Sequence, residues 1–154
     1  MTLTKYLSFR LGGLSGATAG LHVLLRPFGA NTLKRFWQLW NPVFGYYLLV
    51  FVYTPARRIL PRPIAFAATF GVSGFAHDVV VFLHIWAAAS EVMFPMVTVA
   101  FFVVSVIVLI SEAVHLNLQR LPPGGRAIVH LTVIGVSLAI SMLLSGLMSG
   151  SGHS

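Results

Sequence analysis

Long stretches without a charged residue constrain this chain more than any other feature of its sequence. Arg35 and Arg57 are separated by 21 uncharged residues, Glu91 and Glu112 by 20, and no charged residue follows Arg126. Each stretch is long enough to cross about 30 Å of hydrocarbon as a helix. Only 8% of the residues are charged, against about 25% in an ordinary soluble domain. The sequence therefore excludes a soluble globular protein.

The other apolar segments complete a predicted bundle of five transmembrane helices in a single membrane domain, residues 1–154. We place the helices near residues 7–25, 43–56, 64–89, 93–118 and 127–149. Prolines and glycines mark the joints between them, because proline lacks an amide hydrogen and restricts the residue before it. The predicted fold class is an all-α integral membrane protein.

Positive charge clusters in the short loops between these stretches. Ten Lys and Arg residues oppose three Asp and Glu residues. No basic stripe alternates with aromatic residues, so we expect contact with membrane lipids and no nucleic-acid partner. With five spans, seven of the ten basic residues share the side of the N-terminus, which predicts a cytoplasmic N-terminus in a bacterial inner membrane or its equivalent. If the first helix lies along the interface instead, the 26–42 loop becomes cytoplasmic.

The remaining titratable groups do not favour metal or redox chemistry. The absence of cysteine excludes a disulfide framework, a thiolate metal site and a cysteine nucleophile. Glu112 and His115 form a Glu-x-x-His pair, but a di-iron bundle needs two such pairs and two further carboxylates. We therefore expect no bound metal or cofactor.

Two predicted helices carry a face of small residues, which lets a neighbouring helix approach closely. The residues are Gly12, Gly16 and Gly20 in the first helix and Ser137, Ser141 and Ser145 in the last. Two interpretations remain open. The faces pack on each other within the chain, or they dock on another membrane subunit or a second copy.

The third predicted helix carries His77 and Asp78 in the middle of an apolar stretch. Ionisable groups at bilayer depth are costly, so they are functional candidates by default. Ser73 lies one helical turn before His77 on the same face. A polar stripe therefore runs along an otherwise apolar helix.

Three stretches in this region resemble the signature of membrane-bound O-acyltransferases, most closely the branch of wax synthases and sterol and diacylglycerol acyltransferases. They are FWQLWNPV at 36–43, YTPARR at 53–58 and FGVSGFAHD at 70–78. The resemblance covers residues 36–84. Where the branch usually has Glu after the histidine, this chain has Asp78.

The resemblance implies a fatty acyl transfer from acyl-CoA, as substrate, to a hydroxyl of a lipid or alcohol. His77 would be the general base and Asn41 the second polar group of the catalytic site, supported by Ser73 and Asp78. Trp37 and Trp40 would line an acyl channel or anchor the segment at the membrane surface. Arg57 and Arg58 would contact coenzyme A phosphates or lipid headgroups.

Family members have several more helices before this region, and those helices enclose the reaction chamber. Two hypotheses follow from the resemblance. Either another chain completes an acyltransferase site, or this protein is a non-catalytic small transmembrane subunit docked in a larger membrane complex.

Overall fold

A computed structural model describes residues 2–11, 24–85 and 95–150, and every regular element in these ranges is helical. The first elements are α1 (Leu3–Leu11), a 3₁₀ helix (Arg26–Gly29) and α2 (Leu33–Leu39). A continuous helical run follows, made of α3 (Pro42–Tyr47), a π-helical turn (Leu48–Tyr53) and α4 (Thr54–Ile59). The long helices are α5 (Arg62–Ile85), α6 (Met96–Ala113) and α7 (Pro123–Gly150).

Three of these helices are long and apolar enough to cross a membrane. The segments are Arg62–Leu83, Met96–Ala113 and Pro123–Met148. They correspond to the helices predicted over 64–89, 93–118 and 127–149. The fourth predicted helix ends early, at Ala113, because His115 adopts a left-handed conformation with φ 52° and stops the helix there. Most of the helix predicted over 7–25 lies outside the described residues.

The chain from α2 through α4 forms a hairpin that begins and ends at the same end of the bundle. Its first limb is α2, and its returning limb is the run from α3 to α4. At that end, Lys34 and Arg62 bind the same carboxylate, Glu112, with N···O distances of 2.6 and 3.2 Å. At the far end of the hairpin, the Phe44 ring lies 5.5 Å from the His77 ring. His77 is fifteen residues beyond Arg62, or roughly 22 Å along a helix. The run from α3 to α4 therefore lies antiparallel to α5.

The five-span bundle predicted from the sequence is not confirmed, because the hairpin begins and ends at one end of the bundle. Five successive spans would put the 26–42 loop and the 57–63 loop on opposite sides of the membrane. The shared carboxylate puts Lys34 and Arg62 at one end of the bundle instead. The helix predicted over 43–56 is present, but as the returning limb of the hairpin.

The start of α7 holds the 3₁₀ segment onto the bundle. Arg126 donates hydrogen bonds to the Gly29 carbonyl and to Oδ1 of Asn31, at 3.1 and 2.7 Å. One turn further on, the buried His130 lies 3.1 Å from the Ala30 carbonyl through Nε2 and stacks on Phe36 at 4.6 Å. A carbonyl only accepts, so Nε2 carries the proton. These contacts position α2, which follows directly, and with it one wall of the cavity described below.

The serine face of α7 packs inside the chain. Ser137 and Ser141 are buried, and the Ser141 hydroxyl donates to the Met96 carbonyl at the start of α6, at 2.6 Å. Ser145 is partly buried. The serine face is therefore covered inside the chain at Ser137 and Ser141, and at Ser141 its partner is α6. The glycine face of Gly12, Gly16 and Gly20 lies outside the described residues.

Candidate functional site

A cavity of about 380 Å³ separates the hairpin from α5. Its size is within the range of small-molecule binding sites. The hairpin contributes Trp37, Gln38, Trp40, Asn41, Phe44, Gly45, Leu48, Leu49 and Tyr53. One wall belongs to α5, and Tyr6, Lys34 and Phe101 complete the lining.

The wall formed by α5 is a single helical face. Its residues are Arg62, Phe66, Thr69, Phe70, Ser73 and His77, spaced by three or four positions as one face of a helix requires. The face is charged at its first residue, mainly aromatic in the middle and polar at its last turn. The cavity therefore has two polar ends joined by an apolar section.

His77 is held in a defined tautomer at the polar end. Its Nδ1 lies 2.6 Å from the Ser73 carbonyl. Because a carbonyl only accepts, Nδ1 carries the proton, and Nε2 of the neutral ring keeps a free lone pair. The ring is exposed on one side and lies edge-on to Phe44 and 5.2 Å from Phe101. An imidazole held this way is able to accept a proton at Nε2.

Asn41 begins α3 with a strained backbone. Its φ of 42° and ψ of 75° are left-handed, although the next residue is proline, which favours extended conformations before it. Oδ1 accepts a hydrogen bond from the Phe44 amide at 3.2 Å. The amide nitrogen Nδ2 is thereby left as a donor at an exposed position of the cavity wall. Strained residues of this kind cluster at functional sites.

Ser73, Trp37 and Trp40 also line the cavity. Ser73 is buried and acts on His77 through its carbonyl, as described above. Trp37 packs edge-on against Phe70, with ring centroids 5.6 Å apart. Trp40 stacks on Phe36 at 5.4 Å. The structure thus brings His77, Asn41 and these three residues to one cavity, with no direct hydrogen bond between His77 and Asn41 among the described contacts.

Asp78 is absent from the cavity lining and faces α6 instead. Its carboxylate accepts hydrogen bonds from the backbone amides of Val97 and Thr98, at 2.9 and 2.7 Å, and from the Thr98 hydroxyl at 2.6 Å. These amides belong to the first turn of α6, which has no partner for them within the helix. Asp78 therefore caps α6 from a neighbouring helix, and its predicted support of His77 is not seen.

The basic residues at the cavity differ from those singled out in the sequence. Arg57 donates to the Leu60 carbonyl at 2.6 Å, and Arg58 is exposed; neither lines the cavity. Lys34 and Arg62 do line it. The sequence could have indicated Arg62, because it lies at helical spacing from Phe66, Ser73 and His77. It could not have indicated Lys34, because the hairpin brings that residue to the cavity.

Comparison of this chain with family models, curated proteins and solved structures gives no match.

Proposed function

We propose that this protein is a membrane-bound acyltransferase that moves a fatty acyl group from acyl-CoA to a hydroxyl of a lipid or alcohol. The observation that carries the proposal is the convergence of His77 and Asn41 on one cavity. The three stretches that resemble O-acyltransferases are separate in sequence, yet each contributes to this cavity through Asn41, Tyr53 or His77.

The chemistry follows from the free lone pair of His77. A hydroxyl is a poor nucleophile, and Nε2 takes its proton as the oxygen attacks the thioester carbon. The tetrahedral intermediate collapses with cleavage of the carbon–sulfur bond. The proton on Nε2 passes to the departing thiolate, which leaves ester and free coenzyme A. The Ser73 carbonyl stabilises the imidazolium formed in between, through the Nδ1 proton.

Asn41 is suited to stabilise the oxyanion of that intermediate. Its Oδ1 is engaged by the Phe44 amide, so Nδ2 is the group that is able to donate to a ligand. A donor fixed before the reaction stabilises developing charge without reorganisation.

A second candidate function, the non-catalytic subunit, is favoured by the exposure of the site. His77 and Asn41 are both exposed on this chain. Acyl transfer requires a site that excludes water, so an acyltransferase would need another membrane subunit or a second copy to cover the cavity. In a non-catalytic subunit, the same surface would only bind a partner.

A transfer assay on the purified protein tests the two functions. We expect vesicles containing the protein to convert palmitoyl-CoA and hexadecanol, a sterol or diacylglycerol into ester and free coenzyme A in equal amounts. Released thiol is directly measurable because the chain has no cysteine. Absence of ester with all three acceptors, both for the isolated chain and for any complex that copurifies with it, would contradict the acyltransferase and favour the subunit.

We further propose that the end of the bundle carrying Lys34, Arg62 and Glu112 faces the cytoplasm of a bacterial inner membrane or its equivalent. Eight of the ten basic residues lie in segments at this end: Arg26, Lys34, Arg35, Arg57, Arg58, Arg62, Arg120 and Arg126. The positive-inside rule assigns such an end to the cytoplasm. Of the five predicted spans, α5, α6 and α7 cross, the hairpin returns, and the span over 7–25 stays a prediction.

Labelling of single cysteines tests this topology in a chain that has none of its own. We expect Arg35→Cys, Arg58→Cys and Arg120→Cys to react with an impermeant maleimide from the cytoplasmic side, since all three side chains are exposed at the same end. Leu147→Cys, near the far end of α7, should react from the other side. Labelling of Arg35→Cys and Arg58→Cys from opposite sides would restore the five-span arrangement.

A further inference from the structure

A pair of cations at the charged end of the cavity shares one carboxylate. Lys34 Nζ lies 2.6 Å from Glu112 Oε1, and one guanidinium nitrogen of Arg62 lies 3.2 and 3.4 Å from the two oxygens. The side chains of Lys34 and Glu112 are 30% exposed and that of Arg62 is 58% exposed. The cluster is therefore accessible from outside the chain.

The cluster has an excess of positive charge. Only three acidic residues exist in the chain. Asp78 is engaged at the start of α6, and Glu91 lies outside the described residues. One carboxylate against two cations leaves a net charge of +1. Arg62 is also the first residue of the 24-residue helix α5, whose first turn contains no acidic residue and carries the positive end of the helix dipole.

The distance to the other end of the cavity limits the shape of a ligand. Arg62 and His77 are about 22 Å apart along α5. Between them the wall presents Phe66 and Phe70. A ligand that contacts both ends has an anionic group, an extended middle part and a reactive group.

We propose that Lys34 and Arg62 bind the phosphate or pyrophosphate group of an amphiphile whose extended part lies along α5 toward His77. Arginine and lysine side chains are the usual phosphate ligands in proteins, and arginine is able to form two parallel hydrogen bonds to one phosphate. Glu112 holds the two cations in place before binding and competes with the anion. The inference rests on the proposed function for what happens at His77, but phosphate binding itself requires no transfer.

Binding measured by tryptophan fluorescence tests the proposal, because Trp37 and Trp40 line the cavity. The protein is placed in phosphatidylcholine nanodiscs and titrated with palmitoyl-CoA, dioleoyl phosphatidate or uncharged hexadecanol. We expect saturable binding of a phosphate-bearing probe, weakened about tenfold by Lys34→Gln or Arg62→Gln, as the loss of one charge-assisted hydrogen bond implies. The matched control is Arg58→Gln, an exposed arginine outside the cavity, which should bind as the wild type does.

The Glu112→Gln variant distinguishes a ligand-binding site from a salt bridge that only stabilises the fold. Removing the competing carboxylate leaves both cations, so binding should tighten by about threefold to tenfold. A purely structural cluster predicts that all three variants weaken binding alike, and that result would overturn the proposal. Equal affinity for hexadecanol and for the phosphate probes would also overturn the proposal.

The two phosphate probes distinguish the source of the anion. Saturation by palmitoyl-CoA assigns the phosphate to the acyl donor, whereas saturation by phosphatidate alone assigns it to a membrane lipid. Both results support the phosphate site. His77→Ala should still bind the probe, because His77 lies at the other end of the cavity. Saturable binding of a phosphate probe by a wild-type protein that forms no ester would contradict the proposed function and leave this inference standing.

Discussion

Replacing His77 by alanine should reduce acyl transfer by about 10²- to 10⁴-fold, the usual effect of removing a general base. Nε2 carries the only free imidazole lone pair at the cavity wall in the part of the chain that the structure describes. Without it the acceptor hydroxyl has no group at the polar end to take its proton. The measurement is ester formation from palmitoyl-CoA at saturating acceptor, with membrane insertion checked separately.

Two further variants show that the loss belongs to the imidazole at this position. His77→Gln restores a polar side chain of similar size without a base, so it should be as inactive as the alanine variant. His115→Asn changes an exposed histidine outside the cavity, and asparagine tolerates its left-handed backbone. That variant should retain wild-type turnover. Acyl transfer that persists in His77→Ala would remove the general-base role.

The three long helices that the structure describes were predictable from local properties of the sequence. Uncharged runs of about twenty residues determine where α6 lies, and proline pairs mark where α5 and α7 begin. The register of Ser73 and His77 likewise follows from helical periodicity. The ends of these helices were less predictable than their positions. Val114 and Leu116 continue the apolar pattern past Ala113, and only the backbone conformation of His115 ends the helix.

The hairpin was not predictable, because hydropathy measures the length of a span and not the side on which it ends. The decisive contacts join residues far apart in sequence, Lys34 and Arg62 with Glu112, across 78 and 50 positions. A count of basic residues by side depends on the alternation of spans, which hydropathy alone does not determine. The same contacts put Lys34 and Arg62 at the cavity, in place of Arg57 and Arg58.

Asp78 shows that the sequence alone does not distinguish a catalytic polar residue in an apolar helix from a structural one. Beside a histidine, a carboxylate suggests catalysis. Its actual partners, the amides of Val97 and Thr98, begin a helix that the sequence does not position relative to α5. The serines of α7 were ambiguous for the same reason, since the Met96 carbonyl that Ser141 contacts lies 45 residues away.

Replacing Asp78 by alanine should destabilise the bundle by about 2–4 kcal/mol. The change removes three hydrogen bonds and leaves the Val97 and Thr98 amides without partners at the start of α6. Loss of a capping group costs about 0.5–2 kcal/mol, and bonds to a charged acceptor are stronger than neutral ones. The midpoint of thermal unfolding in detergent, followed by circular dichroism, should fall by roughly 5–15 °C. Asp78→Asn keeps one acceptor oxygen, so its thermal midpoint should fall less than that of Asp78→Ala.

The glycine one turn before Asp78 provides an independent test of the same junction with a matched control. A Cβ at Gly74 would lie 2.5 Å from the Thr98 Cα and 2.9 Å from the Val97 carbonyl oxygen, so Gly74→Ala must push α6 away and break the bonds to Asp78. Gly71, three residues earlier on α5, has no such neighbour within 4 Å. Gly71→Ala should therefore be neutral or stabilise by about 0.5–1 kcal/mol, because alanine favours a helix over glycine. Equal thermal midpoints for the two alanine variants, or an Asp78→Ala protein as stable as the wild type, would show that α5 and α6 are not joined at this point.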